Sequence, residues 1–325
     1  MRKRTKISLT LAAVPTLLVA LFCWNGLETS WRIPESGVTK APAAVPGDEL
    51  TIMAFNLAKG FVHEGGLSFK TEAQITDWLD EVAALVVAEG VDLLFLSEVV
   101  FEAGPCPINH VVHLAEAAGF HAWAYGDFYS FGIPGYRMRS GNAILSRFPL
   151  QALEVQPLAG ARRFWNPRGT RRLLWAEIEL GDAEPLLVGS VRNETFIPAN
   201  KPVQVREILD RLQGEGHRPV LLAGDFNDTP DSESFRLWRD SDRFQGVFDG
   251  APTWPTWPTR AARRRIDSVL VPIAWPDLVG ERVLDVKLSD HSPVVVVVRL
   301  PTGGSPPPSE DRDSVSPAHG AQTER

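Results

Sequence analysis

Cysteine is scarce in this chain of 325 residues, which contains only Cys23 and Cys106. Cys23 falls within an apolar N-terminal stretch, so the two cysteines do not suggest a disulfide framework. Two thiols are also too few for a zinc cluster built from thiolates. The sequence therefore excludes small disulfide-bonded scaffolds and thiolate zinc proteins.

A surplus of positive charge is also lacking. The chain has 33 Lys and Arg against 40 Asp and Glu, which gives a formal net charge of -7. Indiscriminate binding of nucleic acid usually depends on a basic surface, so the acidic balance argues against it. A site that binds one phosphate through local arginines stays compatible with it. The hydrophobic fraction of 44% and the charged fraction of 22% are typical of a globular protein with a sizeable core.

Charged side chains are absent from Ile7 to Trp24, directly after the basic start MRKRTK. A basic flank before an apolar run predicts an export signal. A spanning helix needs about 20 apolar residues, and no clean cleavage site follows the run. A cleaved signal peptide and a retained membrane anchor both stay open, and we favour the anchor. Residues 1–30 then place the body outside the cytoplasm, on a membrane or as a secreted or periplasmic protein.

Two segments of unusual composition flank the predicted body. Residues 31–49 are rich in Pro and Ala and predict a tether. Residues 301–325 have almost no large apolar side chains and predict a disordered tail. The folded body therefore comprises residues 50–300.

Within this body, apolar runs alternate with stretches of helical spacing. Four of the runs, LTIMAFNL, VDLLFLSEVV, RPVLLAGDFND and SDHSPVVVVVRL, predict strands that are buried on both faces. The stretches TEAQITDWLDEVAALVVAEG and KPVQVREILDRLQGEG predict amphipathic helices. Helices must then cover the outside of the sheets, which predicts a layered α/β fold.

Polar side chains recur where these strands begin or end. Each alone is commonly a turn or surface residue. Together they offer carboxylates, amides and one histidine, which is the chemistry that Mg²⁺ or Mn²⁺ and a phosphate ester require. The residues are Asn56, Glu98, Asp225, Asn227, Asp267, Asp290 and His291.

The motifs that contain these residues resemble a known family. SE after LLFL, then GNAILSRFPL, GDFND and SDHSPV occur in the order typical of the endonuclease/exonuclease/phosphatase superfamily. The resemblance covers essentially all of residues 50–300. It implies a four-layer α-β-β-α sandwich, in which two mixed β-sheets pack face to face between helices. It also implies metal-dependent hydrolysis of phosphate esters.

The resemblance implies roles for individual residues. Glu98, Asn56 and Asp290 are expected around a Mg²⁺ or Mn²⁺ ion. Asp225 and Asn227 in GDFN are expected to orient the attacking water and to hold the phosphate. The histidine in SDH is expected to act as acid or base, with the carboxylate in RRRIDSVLV fixing its other ring nitrogen. These catalytic residues are Asp225, Asn227, His291 and Asp267.

One position departs from the family pattern. Many members carry a second histidine in a strand end N-T-H-L, whereas LLVGSVRNET places Arg192 there. Arginine does not donate a proton at neutral pH, but it can clamp a phosphate with two hydrogen bonds. A surface role for Arg192 is the alternative.

Three loops are weaker candidates for substrate contacts. Tyr125 begins an aromatic, glycine-rich stretch that is either a substrate pocket or a packed loop. Trp254 and Trp257 are candidates for stacking on a base or for contacting a membrane, or they pack within a proline-rich loop. The basic stretch 161–172 is a candidate for attracting an anionic substrate, or it is solvated.

We therefore favour a monomeric, metal-dependent phosphoesterase outside the cytoplasm. Its substrate is a nucleic acid, a nucleotide, or a phospholipid or sphingolipid head group, because fold membership alone does not identify the substrate. A catalytically weak relative that binds a partner is one alternative. A cytoplasmic DNA-repair nuclease is another, which the N-terminal segment and the acidic body oppose.

Overall fold

The computed structural model describes residues 2–28, 32–60, 70–104, 106–161, 171–245, 255–261, 263–275 and 278–301. The predicted tail beyond residue 301, Trp254 and most of the basic stretch lie outside these ranges.

The described elements are thirteen strands, five α-helices and one 3₁₀ turn. The strands are β1 (Glu35–Val38), β2 (Glu49–Asn56), β3 (Leu93–Ala103), β4 (Ala122–Ile133), β5 (Tyr136–Ser146), β6 (Leu150–Pro157), β7 (Arg172–Ile178), β8 (Leu186–Arg192), β9 (Val220–Asp225), β10 (Phe244–Gln245), β11 (Asp267–Pro272), β12 (Leu278–Val283) and β13 (Val294–Arg299). The helices are α1 (Arg2–Glu28), α2 (Glu72–Ala88), α3 (His110–Ala117), α4 (Asn200–Gln213) and α5 (Glu233–Arg239), and the 3₁₀ turn is Thr259–Ala261.

The strands form two mixed sheets. The first has the order β1-β4-β5-β3-β2-β13-β12, and the second has the order β10-β11-β9-β8-β7-β6. The β2–β3 and β8–β9 pairs are parallel, and the other pairs within these sheets are antiparallel. A hydrophobic layer lies between the sheets, and one further layer lies on the outer face of each sheet. The predicted four-layer sandwich is confirmed.

The alternation of side chains along the strands builds these layers. In β2, Ile52 and Ala54 face the second sheet, while Met53 and Phe55 face α2 and α3. Burial of the larger of these side chains, Ile52, Met53 and Phe55, stabilises the fold by roughly 1.5–3 kcal/mol each. Continuous apolar runs are required because both faces of the central strands are covered.

Helix α2 lies where the sequence predicts it. It begins at a capping box, in which the Thr71 hydroxyl accepts from the Gln74 backbone N–H and the Gln74 side chain accepts from the Thr71 N–H. It ends at Ala88, and Gly90, two residues later, adopts the left-handed conformation with φ 62° that commonly follows a helix. The two end signals of the helix involve only residues close in sequence, which is why the sequence alone predicts the helix.

The segment predicted as a tether runs along the edge of the first sheet. Strand β1 pairs with β4, so that Glu35 lies opposite Tyr125 and Val38 lies opposite Ala122. Among the helices of the described residues, none has both the length and the apolar character that crossing a membrane requires.

Candidate active site

A polar row continues the apolar layer between the two sheets. Every second side chain along β2 and β9 is apolar up to the strand end, where the last one is polar: Asn56 in β2 and Asp225 in β9. In β8 the same series runs from Leu186 and Val188 through Ser190 to Arg192. At the start of β11, Asp267 occupies the equivalent position. Arg192 is the register partner of Asp225, and Asp225 is the register partner of Asp267. Strand alternation therefore directs these side chains into one place.

Asp225 lies at the centre of this row and is buried. Its Oδ2 accepts from Asn56 Nδ2 at 3.0 Å and from Asn227 Nδ2 at 3.1 Å, and its Oδ1 accepts from the Asn227 backbone N–H at 2.9 Å. Burial and the neighbouring Asp267 carboxylate raise the pKa of Asp225 above its usual value. Asp225 is thus a fixed carboxylate with an increased affinity for a proton.

His291 joins the row from the segment before β13. Its Nδ1 lies 2.8 Å from Asp267 Oδ2, and its Nε2 lies 3.4 Å from Asn56 Nδ2. Burial alone would lower the pKa of His291, but the carboxylates of Asp267, Asp225 and Asp290 outweigh it and raise the pKa to about 9. His291 is therefore an imidazolium at neutral pH. We call Asn56, Asp225, Asp267 and His291 the acid–base side of the site.

Backbone and hydroxyl contacts hold the acid–base side in position. The Ser289 hydroxyl donates to the Asn56 carbonyl at 2.7 Å and accepts from the His291 backbone N–H at 3.3 Å. The Thr256 hydroxyl accepts from the Asp267 backbone N–H at 3.3 Å. The segments that carry the histidine and its carboxylate are therefore fixed to both sheets.

Glu98 approaches the site from an irregularity in β3. The register of β3 against β5 shifts between Leu96 and Val99, and Glu98 has φ 54°. A bulge of this kind turns a side chain out of the regular alternation. The Glu98 carboxylate contacts two cations, Lys59 through Oε2 and Arg192 through Oε1. We call Lys59, Glu98 and Arg192 the cationic side of the site.

Arg192 connects the two sides. Its Nη2 donates to Glu98, and its Nε lies 3.9 Å from Asp225 Oδ2. The guanidinium carbon lies 4.9 Å from the centre of the Phe128 ring, a cation–π distance. Burial lowers the pKa of Arg192 from its ordinary high value. Arg192 is thus a buried guanidinium between two carboxylates and not a surface residue.

Asp290 forms the open edge of the site. Its side chain is 45% exposed, and its Oδ1 lies 4.0 Å from His291 Nε2. Trp257 Nε1 donates to Asp290 Oδ2 at 3.4 Å. Trp257, a weak candidate in the sequence, therefore lies at the margin of the site.

Two sets of side chains at the site carry atoms that could bind a metal ion. Ligand-capable atoms of Asp225, Asp267 and His291 lie within 4.8 Å of one another and form a buried group that could bind a metal. The Asp225 oxygens already accept hydrogen bonds from Asn56 and Asn227, and Asp267 Oδ2 lies 2.8 Å from His291 Nδ1. The Glu98 carboxylate already binds one cation, the ammonium group of Lys59. Glu98 and the exposed Asp290 also carry carboxylate oxygens of the kind that divalent cations bind.

Asn56 makes contacts that differ from those of a metal ligand. Its side-chain nitrogen donates to Asp225, and its Oδ1 accepts from the Ala58 backbone N–H at 2.9 Å. These contacts position the Asp225 carboxylate. The sequence prediction that Asn56 lies near a metal stays a prediction.

Among the contacts of the described residues, none joins Tyr125 to another predicted site residue. Its ring stacks between Phe101, at 4.1 Å, and Trp123, at 5.4 Å between centroids. Its hydroxyl donates to Glu35 at 2.7 Å and accepts from Asn109 Nδ2 at 3.3 Å. Tyr125 therefore serves the packing between β1, β3 and β4.

Three further residues lie at the site. The sequence did not predict Lys59 or Asn193 as site residues, and it included Arg171 only as part of the basic stretch. Lys59 follows Asn56 by three positions in FNLAKG, where the glycine is a turn signal. Arg171 is the penultimate residue of the basic stretch, and burial and the neighbouring Arg192 lower its pKa to about 9. The backbone carbonyl of Asn193 accepts a hydrogen bond from Asn227 Nδ2 at 3.0 Å. The side-chain amide of Asn193 is buried and has no hydrogen-bond partner among the described residues.

Comparison with known proteins agrees with this geometry. The model of the Endonuclease/Exonuclease/phosphatase family matches residues 53–291. Among curated proteins, none matches the chain.

Solved structures of low sequence identity share the fold. An endonuclease/exonuclease/phosphatase from Beutenbergia cavernae is 24% identical with a TM-score of 0.62, over 78% of this chain and 72% of that one. The catalytic domain of human Nocturnin with bound sulfate is 15% identical with a TM-score of 0.57, over 82% and 97%. D. rerio TDP2 in complex with a single-strand DNA product is 17% identical with a TM-score of 0.53, over 77% and 99%.

Proposed function

Because the chain belongs to the endonuclease/exonuclease/phosphatase family, whose members are typically metal-dependent phosphoesterases and nucleases, we propose that it hydrolyses a phosphate ester in the presence of Mg²⁺ or Mn²⁺. The single observation that carries the proposal is the row of Arg192, Asp225, Asp267 and His291, which places a guanidinium, two carboxylates and an imidazolium at one end of the sandwich.

Asp225 is the group that takes a proton from the attacking water. Its raised pKa makes it a stronger base than an exposed aspartate, and three hydrogen bonds from Asn56 and Asn227 fix its orientation. Asn227 has φ 52°, a backbone conformation that asparagine tolerates better than most residues. That conformation lets its backbone and side chain both donate to Asp225.

His291 stabilises negative charge on the phosphate. Its raised pKa keeps it protonated, so that Nε2 can donate to an oxygen on which charge develops. Asp267 binds Nδ1 and thereby sets the orientation of the ring. A protonated histidine can also give its proton to the leaving oxygen.

Arg192 binds the phosphate beside the histidine. Since arginine does not exchange its proton at neutral pH, it contributes charge and two parallel donors. Asn193, with a buried and unpartnered amide among the described residues, is a further donor at this end. Among the residues of the row, His291 is then the one that can protonate the leaving group.

Glu98 and Asp290 are the residues that would hold the divalent metal. Their carboxylate oxygens are the ligands that Mg²⁺ prefers. When bound, the metal neutralises phosphate charge and steadies the leaving oxygen.

We also propose that the protein acts as a monomer outside the cytoplasm and stays attached to its N-terminal segment, and so to the membrane. The basic flank and the uncharged run support export. Asn25 Oδ1 accepts from the Ser130 hydroxyl at 3.0 Å, its Nδ2 donates to the Gly132 carbonyl at 3.1 Å, and Glu28 pairs with Arg137 at 2.6 Å. Cleavage after this point would remove partners of the β4–β5 hairpin.

The test is a hydrolysis screen of the full chain with Mg²⁺, with Mn²⁺ and with a chelator. The substrates are DNA, RNA, bis-nitrophenyl phosphate, nitrophenyl phosphate, sphingomyelin and inositol phosphates. Metal-dependent turnover that disappears in Asp225→Asn supports the proposal. If no substrate is hydrolysed with either metal, or if Asp225→Asn is as active as the native protein, the proposal fails.

A further inference from the structure

Lys59 is held against Glu98 by an unusual turn after β2. Ala58, Lys59 and Gly60 all have left-handed backbones, with φ 47°, 59° and 63°. Left-handed conformations cost free energy for residues other than glycine and persist where the surrounding structure enforces them. Here the Lys59 backbone N–H donates to the Glu98 carbonyl at 2.9 Å. The turn is therefore fixed to the residue whose carboxylate the lysine contacts.

The Glu98 carboxylate has both oxygens engaged by cations. Oε1 receives Arg192 and Oε2 receives Lys59. Lys59 is the more exposed partner, with 22% of its side chain accessible against 10% for Arg192. Arg192 is also held by Asp225 and Phe128. Of the two cations, Lys59 is the one that can leave the carboxylate without breaking a buried network.

We propose that Lys59 is a tethered cation that occupies the Glu98 carboxylate in the metal-free protein and that a divalent metal ion must displace in order to bind. The inference rests on the proposed function, which assigns Glu98 to the metal. It adds a residue that sets metal affinity without being a ligand. Two positive ions cannot share one carboxylate oxygen closely because their repulsion opposes the gain.

The consequence is a metal affinity that improves when the lysine is removed. In Lys59→Met the competing ammonium and its positive charge are gone, while an unbranched side chain of similar length stays. We expect Mn²⁺ to bind about 10- to 100-fold more tightly, the range over which groups beside metal ligands usually alter affinity. Lys59→Arg keeps a positive charge against the carboxylate, so Mn²⁺ should bind no more tightly than to the native protein.

The experiment measures Mn²⁺ binding directly, by paramagnetic resonance of free Mn²⁺ or by titration calorimetry, on the full chain. The control Lys40→Met removes an exposed lysine after β1, and we expect unchanged affinity. Thermal unfolding of each variant identifies any that misfold; Lys59→Gln replaces Lys59→Met if that variant does.

Glu98→Gln separates the failure of this inference from the failure of the proposed function. If Glu98→Gln weakens Mn²⁺ binding but Lys59→Met binds no more tightly than the native protein, the displacement idea is overturned and Glu98 keeps its role. If Glu98→Gln leaves affinity unchanged, the metal assignment itself is wrong. Absence of Mn²⁺ binding in every folded variant also overturns the inference.

Discussion

The two sides of the candidate active site hold their charges by different means. On the acid–base side, Asn56, Asp225 and Asp267 stand at the ends of regular strands and His291 joins them from the segment before β13, with hydrogen bonds of 2.8–3.1 Å to Asp225 and between His291 and Asp267. On the cationic side only Arg192 ends a regular strand, while Glu98 and Lys59 depend on backbone irregularities, a bulge and a left-handed turn. The cationic side balances one carboxylate with two cations and uses no amide to fix it among the contacts of the described chain.

This difference indicates which side is built before substrate or metal arrives. Hydrogen bonds along strand ends leave Asp225 and His291 little freedom, so they are preorganised for catalysis. Ion pairs between flexible side chains can rearrange at lower cost, particularly where one partner is partly exposed. We therefore expect substitutions on the acid–base side to reduce turnover, and substitutions on the cationic side to alter binding.

The largest effect is expected for Asp225→Asn. The change removes the base but keeps the shape, and turnover should fall on the order of 10⁴-fold, the upper range for lost acid–base catalysis. Mn²⁺ affinity should change little because Asp225 is not among the proposed ligands. Steady-state kinetics together with a Mn²⁺ titration check both parts. Asp285→Asn, an exposed aspartate, is the matched control.

The next largest effect concerns the pair of His291 and Asp267. His291→Ala should lower turnover on the order of 10²–10⁴-fold. Asp267→Asn should reduce the rate more than the metal affinity, since it alters the ring and no ligand. Because the two act as a unit, the double variant should be little worse than His291→Ala. Independent, multiplicative losses in the kinetic double-mutant cycle would show that the 2.8 Å contact does not operate as a pair.

A medium effect is expected for Arg192→Met on the cationic side. Loss of the phosphate clamp should weaken substrate binding and reduce kcat/KM by roughly 10- to 100-fold. Arg192→Lys should recover only part of the loss, because lysine lacks the planar fork. If Arg192→Met changes kcat/KM no more than a control at exposed Arg236 does, the contrast between the two sides fails.

The sequence predicts the residues at regular strand ends and, through a family motif, Glu98 at the bulge, but it does not predict Lys59. Asp225 ends an apolar strand and Asp267 begins one, so alternation and family motifs together locate them. Lys59 reaches the site through a turn whose three left-handed residues leave little trace in sequence beyond Gly60. Tyr125 stacks with Phe101 and Trp123, in keeping with the packed-loop alternative that an aromatic side chain in such a stretch equally allows. Tertiary contacts determine the surroundings of both residues, and the local sequence does not contain those contacts.

The last prediction concerns pH, and it separates two histidines of opposite environment. Burial lowers the pKa of His110, in α3 against Trp78, to about 3, whereas the carboxylates around His291 raise its pKa to about 9. The unfolded value for both is about 6.5. His291 therefore contributes stability that is complete below about pH 6.5 and is lost as the pH rises through about 9. His110 acts in the opposite direction, because its lowered pKa makes the free energy of unfolding decrease as the pH falls below about 6.5.

In chelator, the contribution of His291 to the free energy of unfolding should thus decrease by up to about 3 kcal/mol between pH 6 and pH 9.5, from the raised pKa of His291. Burial lowers the pKa of Lys59 to about 7, so Lys59 contributes in the opposite direction over this range, and the His291 contribution is taken as the difference between the native protein and Asp267→Asn. In Asp267→Asn the imidazolium loses its charged partner, so the unfolding free energy should be lower than that of the native protein at pH 6, and the difference should shrink as the pH rises. His110→Gln should leave the slope above pH 6.5 unchanged and reduce the acid-side loss. Urea unfolding at several pH values measures all three. A native slope that persists in Asp267→Asn would mean that Asp225 and Asp290, and not the 2.8 Å contact, keep His291 charged, because only those two carboxylates would remain to favour the imidazolium.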